Sequence, residues 1–170
     1  RKRFADGKVT VPFKRFLGYD RGPDGNLVLN PDEAVTVRRI YSMFLQGMSP
    51  YGIATHLTTD GIKSPGGKDK WNAGAVRSIL TNEKYKGDAL LQKSYTVDFL
   101  TKKKKVNEGE IPQYYVEGNH EAIINPDVYE QVQREMKRRK ADGGRHSSVH
   151  LFSGKMRCGQ CGEWYGSKTW

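Results

Sequence analysis

The sequence predicts an α+β fold: a small helical unit set among short strands, followed by the opening part of a second, smaller domain. Three observations carry this. Three stretches between Asn30 and Asn82 place apolar residues at spacings of three and four behind capping residues. Runs rich in β-branched and aromatic residues, bounded by glycine and proline turns, lie on both sides of them. Near the end, Cys158 and Cys161, the only cysteines in 170 residues, form a C-x-x-C closed by glycine.

Taken in order, "VTVPFKRFLGYDRG" reads as strand and "GPDGN" (Gly22 to Asn26) as a turn, with "LVLN" a short strand leading out of it. At Asn30 the pattern changes. "NPDEAVTVRRIYSMFLQG" has a cap, a proline at the first helical position and acids in the first turn. Ala34, Val37, Tyr41, Phe44 and Met48 make one apolar face, and Gly47 marks the stop. A second helix follows Ser49 and Pro50, with Ile53, Ala54 and Leu57 inward and Gly61 past its end. "IKSPGGKDK" is a loop. A third helix, capped by Asn72, turns Val76, Ile79 and Leu80 inward, and Trp71 beside the cap can pack as a staple. "YKGDALLQKSYTVDF" reads as strands, "LTKKKKVNEGEIP" as a polar loop or linker, and "YYVEGNHEAII" as strand again. "NPDVYEQVQREMKRRKADGG" repeats the start signal of Asn30, with Val128, Val132 and Met136 four apart on one face. The final "LFSGKMRCGQCGEWYG" reads as strand, knuckle, strand.

The formal charge is +10 at neutral pH, against 36% hydrophobic residues. That balance suits a soluble protein that meets a polyanion. "RKRF" at the start, "KDK" before Trp71, "KKKK" at Lys102 to Lys105 and "KRRK" at Lys137 to Lys140 concentrate the charge. Each cluster alone is explained by solvation; together they favour nucleic acid. No apolar run is long enough to span a bilayer, and no basic cluster sits on an insertion helix. No signal peptide opens the chain, and its first residue is Arg1, so a piece of a longer protein is expected.

Short helices with a basic surface suggest a helix-turn-helix, whose second helix presents its N-terminal residues to base edges. The candidate reader runs from Asn72 to Leu80. Asn72, Ala73, Arg77 and Ser78 lie off its apolar face, and Lys68 and Lys70 in the preceding loop can reach phosphates. The connection "DGIKSPGGKDKW" far exceeds the usual turn of about three or four residues. A plain helical packing unit, with Asn72 only a cap and Arg77 only solvated, fits the periodicity equally well.

The run from Val11 to Asp88 resembles the recombinase domain of large serine recombinases, the serine-class phage integrases and transposon resolvases. The matching positions are Pro12, Phe13, Gly18 and Tyr19; Ala34, Val37, Ile40 and Tyr41; and Gly47, Ser49, Ile53, Ala54 and Leu57. Gly61, Ile62, Trp71, Ile79, Leu80, Asn82, Tyr85 and Gly87 continue the pattern. "HEAIINPDVYEQVQ" and "LFSGKMRCGQCG" resemble the approach to that family's zinc ribbon, so the likeness covers nearly the whole chain. "KRFL" stretches the spacing between Phe13 and Gly18, and the ribbon's second cysteine pair is not in this sequence.

The resemblance implies site-specific binding of double-stranded DNA at recombination attachment sites. Residues 1–98 would form the recombinase DNA-binding domain, 99–113 a basic linker or loop, and 114–170 the N-terminal part of a zinc-ribbon domain. Strand cleavage and rejoining would fall to a serine nucleophile in a catalytic domain preceding Arg1, so this fragment is expected not to be an enzyme. Arg1, Lys2 and Arg3 would belong to a segment following the minor groove, where a strongly negative potential suits arginine. Lys102, Lys103, Lys104 and Lys105 are further candidate DNA contacts. The full-length protein is expected to bind zinc, to assemble as dimer or tetramer through parts not in this sequence, and to act in the cytoplasm. The alternative is a helix-turn-helix transcriptional regulator. A third option, an RNA-binding module, is disfavoured because no RNP-like aromatic strand motif appears.

Cys158 and Cys161 make half of a four-ligand zinc site. The same spacing serves redox sites, but those open a helix in a βαβ unit, whereas this pair sits in a glycine- and aromatic-rich ribbon. Zinc is therefore expected in the full-length protein, with incomplete coordination here; His146 and His150 read as bystanders. His120 reads as structural. No Ser-His-Asp or paired-carboxylate constellation emerges, and no active site is expected.

Overall fold

Asn30 caps the first helix as its place before Pro31 predicts. In the computed structural model, which describes residues 16–23, 25–98, 100, 101, 103–141 and 156–162, its carboxamide oxygen accepts from the Glu33 amide at 3.2 Å. Helix α1 then runs Pro31–Leu45, with Asp32 and Glu33 at its positive end. Two antiparallel strands precede it, β1 (Tyr19–Arg21) and β2 (Leu27–Leu29). Ser49 caps α2 (Pro50–Thr59), accepting from the Gly52 amide at 3.1 Å. Asn72 caps α3 (Ala73–Leu80), accepting from the Ala75 amide at 2.8 Å. A further helix, α4, covers Pro126–Ala141.

The expected apolar faces meet in one core. Ala34, Val37, Tyr41 and Phe44 of α1, Ile53, Ala54 and Leu57 of α2, and Val76, Ile79 and Leu80 of α3 are all buried there. Val132 of α4 joins them, with Val128, Met136 and Met48 packed at the margin. Gly47, at φ 105°, ends α1's run in the left-handed region that favours glycine.

Between α3 and α4 the structure departs from expectation in three places. Tyr85 and Lys86 are not strand: Glu83–Lys86 form a 3₁₀ turn, begun by the Asn82 side chain and ended by Gly87 at φ 92°. A Cβ on Gly87 would stand 2.8 Å from the His120 carbonyl oxygen, so the close approach itself requires glycine. Second, "LTKKKKVNEGEIP" is not all loop. Lys103–Val106 form β5, which pairs antiparallel with β4 (Ser94–Asp98) around a bulge near Val97. Cross-strand pairing overrides lysine's weak strand preference. Third, in "YYVEGNHEAII" only Tyr114–Val116 are strand, β6, pairing with β3 (Ala89–Leu91). The rest folds back over the 3₁₀ turn, where the Ile123 and Ile124 amides both donate to the Tyr85 carbonyl, at 3.0 and 2.9 Å. The whole is α+β, its short strands paired in three separate two-stranded sheets among the described residues.

Of the C-terminal knuckle, residues 156–162 are described. A turn over Gly159–Cys161 brings the Gly162 amide to the Cys158 carbonyl at 3.0 Å.

Candidate nucleic-acid interface

Helix α3 is held by three neighbouring side chains that satisfy the carbonyls its C-terminus leaves open. The Tyr41 hydroxyl from α1 donates to the Ile79 carbonyl at 3.1 Å. Gln133 and Tyr129 of α4 donate to the Leu80 and Thr81 carbonyls at 2.7 and 3.1 Å. Burial pushes the Tyr41 hydroxyl far above its ordinary pKa, so it stays a donor at any physiological pH. At the other end, Trp71 is buried as a staple should be. Its indole N–H donates to the Ile62 carbonyl at 2.8 Å, and its amide donates to the Thr58 hydroxyl of α2 at 3.0 Å. The long connection between α2 and α3 is thereby tied down at Thr58 and Ile62 rather than left to swing.

This anchoring leaves one side of α3 to solvent. Arg77, Ser78 and Asn72 are exposed, and Ala73 is half-buried. Asn72 spends its oxygen on the cap, so its NH2 group is what it can offer a partner. In the loop, the Ser64 amide donates to the Lys68 carbonyl at 2.9 Å, and the Lys68 amide returns to the Ser64 hydroxyl at 3.2 Å. Lys63 pairs with Asp69. Lys68, Lys70 and Arg77 are exposed, and among the described residues no carboxylate pairs with them. Of the predicted group, Lys68 and Lys70 in the loop, Asn72 at the cap, and Arg77 and Ser78 on the helix are thus exposed, with Ala73 half-buried.

The other predicted contacts divide. Lys103, Lys104 and Lys105 are exposed, but on a strand rather than the expected loop, and Lys105 is engaged by Glu110, whose carboxyl it draws down to about 2. Lys102 lies outside the described residues, as do Arg1, Lys2, Arg3, His146 and His150. "KRRK" is only partly a surface cluster. Arg139 points inward: it donates to the carbonyls of Met48 and Phe44 at 2.8 and 2.9 Å, lies 4.2 Å from the Phe44 ring centroid, and pairs with Glu135 at 2.7 Å. Sequence periodicity missed this role, although the place of Arg139 three positions after Met136 on the inward stripe was its signal. Gln133 and Thr58 were missed for want of any signal at all.

His120 is built into the scaffold. Its Nε2 lies 2.6 Å from the Lys84 carbonyl, which only accepts, so that nitrogen carries the proton; its ring meets Tyr19 edge-on. Burial lowers its pKa, and the Lys84 carbonyl partly opposes this. Burial also pushes the Glu83 carboxyl up, but Lys93, the Leu90 amide and Lys84 outweigh it and hold the group ionised. Cys158 is half-buried and Cys161 exposed, and neither forms a disulfide. Among the described residues no three His, Cys, Asp or Glu side chains gather in a metal-binding group. The two thiols at C-x-x-C spacing fit half of a four-ligand structural zinc site.

Comparison with known proteins agrees on one family. The family model described as Recombinase matches residues 31–139. A curated protein of Bacillus subtilis (strain 168), named "Putative DNA recombinase", is 31% identical over 144 residues, which cover 77% of this chain and 28% of the relative. A crystal structure of an LSR–DNA complex superposes with a TM-score of 0.60 at 25% identity, over 96% of this chain and 44% of that one. A structure described by the sequence requirements of the Listeria innocua prophage attP site gives 0.58 at 26% identity, over 96% of this chain and 60% of that one. The chain thus spans less than two thirds of each of these relatives.

Proposed function

Because the chain belongs to the recombinase family, as its resemblance to the large serine recombinases implied, we propose that it binds double-stranded DNA site-specifically at recombination attachment sites. The observation that carries this is the exposed side of α3. Arg77 and Ser78 stand on a helix fixed by Tyr41, Gln133 and Tyr129, and the loop before it carries exposed lysines, Lys68 and Lys70, that no carboxylate of the described residues neutralises. The relatives support it, since one solved structure is a complex with DNA and the other concerns an attP site.

In this reading α3 lies in the major groove. Arg77 offers its fork to guanine O6 and N7, Ser78 its hydroxyl, and Asn72 its NH2 to an acceptor on a base edge. Lys68 and Lys70 hold phosphates and set the register without reading sequence. Arg1, Lys2 and Arg3 follow the minor groove, and Lys102–Lys105 add charge. Strand cleavage and rejoining belong to a catalytic domain elsewhere in the full-length protein, which assembles as dimer or tetramer in the cytoplasm. Zinc there would hold the ribbon through Cys158, Cys161 and a second pair, a structural role.

Arg77→Ala tests the assignment. It should cost about 1–3 kcal/mol on the preferred site and relax the preference at one base pair. Lys68→Ala should weaken binding to all sequences alike and lower the salt slope by about one. Equal losses on preferred and random duplexes for both variants would remove Arg77 from the reading role.

A further inference from the structure

Strands β4 and β5 form a ribbon that nothing else in the described protein covers. They pair with each other alone. Every residue of β5 is exposed, as are Thr96 and Val97 on β4. An isolated two-stranded ribbon is marginal in water, yet this one leaves the body through a costly corner. Gln92, between β3 and β4, is held at φ 61°, a conformation that a side chain rarely adopts. Its buried Oε1 has no hydrogen-bond partner among the described residues. Asn107, itself buried, enforces the corner: its amide nitrogen donates to the Gln92 and Ile111 carbonyls at 2.9 and 2.7 Å, and its backbone amide donates to the Lys93 carbonyl at 2.9 Å. Strain that the surroundings over-determine is a mark of function.

The register shows what the ribbon would meet. Thr96 faces Lys104 across the strands, and Asp98 faces Lys103. Successive residues of a strand point to opposite faces, so Lys103 and Lys104 present charge on opposite sides. A flat acidic surface would satisfy only one of them. A ribbon charged on both faces fits between two lines of negative charge. A duplex groove has that form, and at about 12 Å wide the major groove admits a two-stranded ribbon.

We propose that the β4–β5 ribbon enters a groove of the DNA duplex and straddles it, with Lys104 turned to one phosphate backbone and Lys103 to the other. This rests on the chain being a duplex-DNA binder and adds a second docking element, independent of α3. The ribbon grips without reading bases through these lysines, and the Gln92–Asn107 corner sets its direction.

The test uses the whole chain, a fixed 30-base-pair duplex, and the same duplex with uncharged methylphosphonate linkages throughout one strand. Salt slopes are measured for the wild type and for Lys103→Gln, Lys104→Gln and the double variant, with a Thr pair as a second, strand-favouring version. On the all-phosphate duplex each single change should lower the slope by about 0.9 and the pair by about 1.8. On the half-neutral duplex, whichever way the protein lies, only one lysine still faces charge, so the pair should differ from wild type by about 0.9. An undiminished difference there, or none, places both lysines on one strand and overturns the straddling arrangement. A steep wild-type slope that the double variant does not change removes the ribbon from the DNA and leaves the DNA-binding reading standing. A flat wild-type slope on the all-phosphate duplex removes both.

Discussion

Arg139→Ala should destabilise the protein by about 2–4 kcal/mol while leaving DNA affinity per folded molecule unchanged. The magnitude follows from what Arg139 does. It closes the C-terminal end of α1 through the Phe44 and Met48 carbonyls at 2.9 and 2.8 Å, and it lies 4.2 Å from the Phe44 ring centroid. Hydrogen bonds to a charged group contribute about 1.5–3 kcal/mol, and a partly desolvated cation–π contact about 0.5–2. Glu135 keeps Arg138 as a partner, at 2.8 Å, so its loss is small. Arg139→Lys keeps the charge but not the fork, and should recover less than half of the loss. Urea unfolding reads the effect as a shifted midpoint at unchanged m. A stability change under about 0.5 kcal/mol, with a salt slope lowered by about one, would refute the reasoning, because it would place Arg139 on the phosphate backbone.

Two further outcomes can be checked on the same instruments. Trp71→Ala empties a buried indole site and frees the Ile62 carbonyl; it should cost about 3–5 kcal/mol and weaken binding at the preferred site more than at random sequence, since Trp71 ties down the loop carrying Lys68 and Lys70. Stability should also fall in acid. Arg138 chiefly, then Arg139 against opposing burial, hold the Glu135 carboxyl at about 2 where its ordinary value is 4.5. A pKa depressed by folding contributes stability that is whole above the unfolded value and is lost as pH drops towards the folded one. Urea midpoints should therefore decline between about pH 4.5 and 2, and Glu135→Gln, which removes the titrating group, should flatten that decline; an unchanged decline would assign it to other carboxylates.

The helices were readable because their signals are local. Asn30, Ser49 and Asn72 cap as expected, and the i, i+3, i+4 apolar residues behind them share one core. The exposed group on α3 followed directly, since residues off an apolar stripe must face outward. What could not be read depends on pairing across distance. Lys103–Val106 look like solvated linker until β4 lies beside them, because lysine has little strand preference of its own. Arg139 has a place on the inward stripe of α4, but its partners, the Phe44 carbonyl of α1 and the Met48 carbonyl just beyond that helix, lie far away in sequence. Gln133 and Tyr129 carry no mark that distinguishes a side chain closing α3 from one facing water.

The most direct measurement is selection of this chain's preferred duplex from a random-sequence pool, sequenced at two salt concentrations. Enrichment of one extended motif at both salts, with its preference at one base pair lost in Arg77→Ala, is the predicted result. Salt-sensitive binding that enriches no motif would contradict site-specific recognition by α3 and leave only a basic surface.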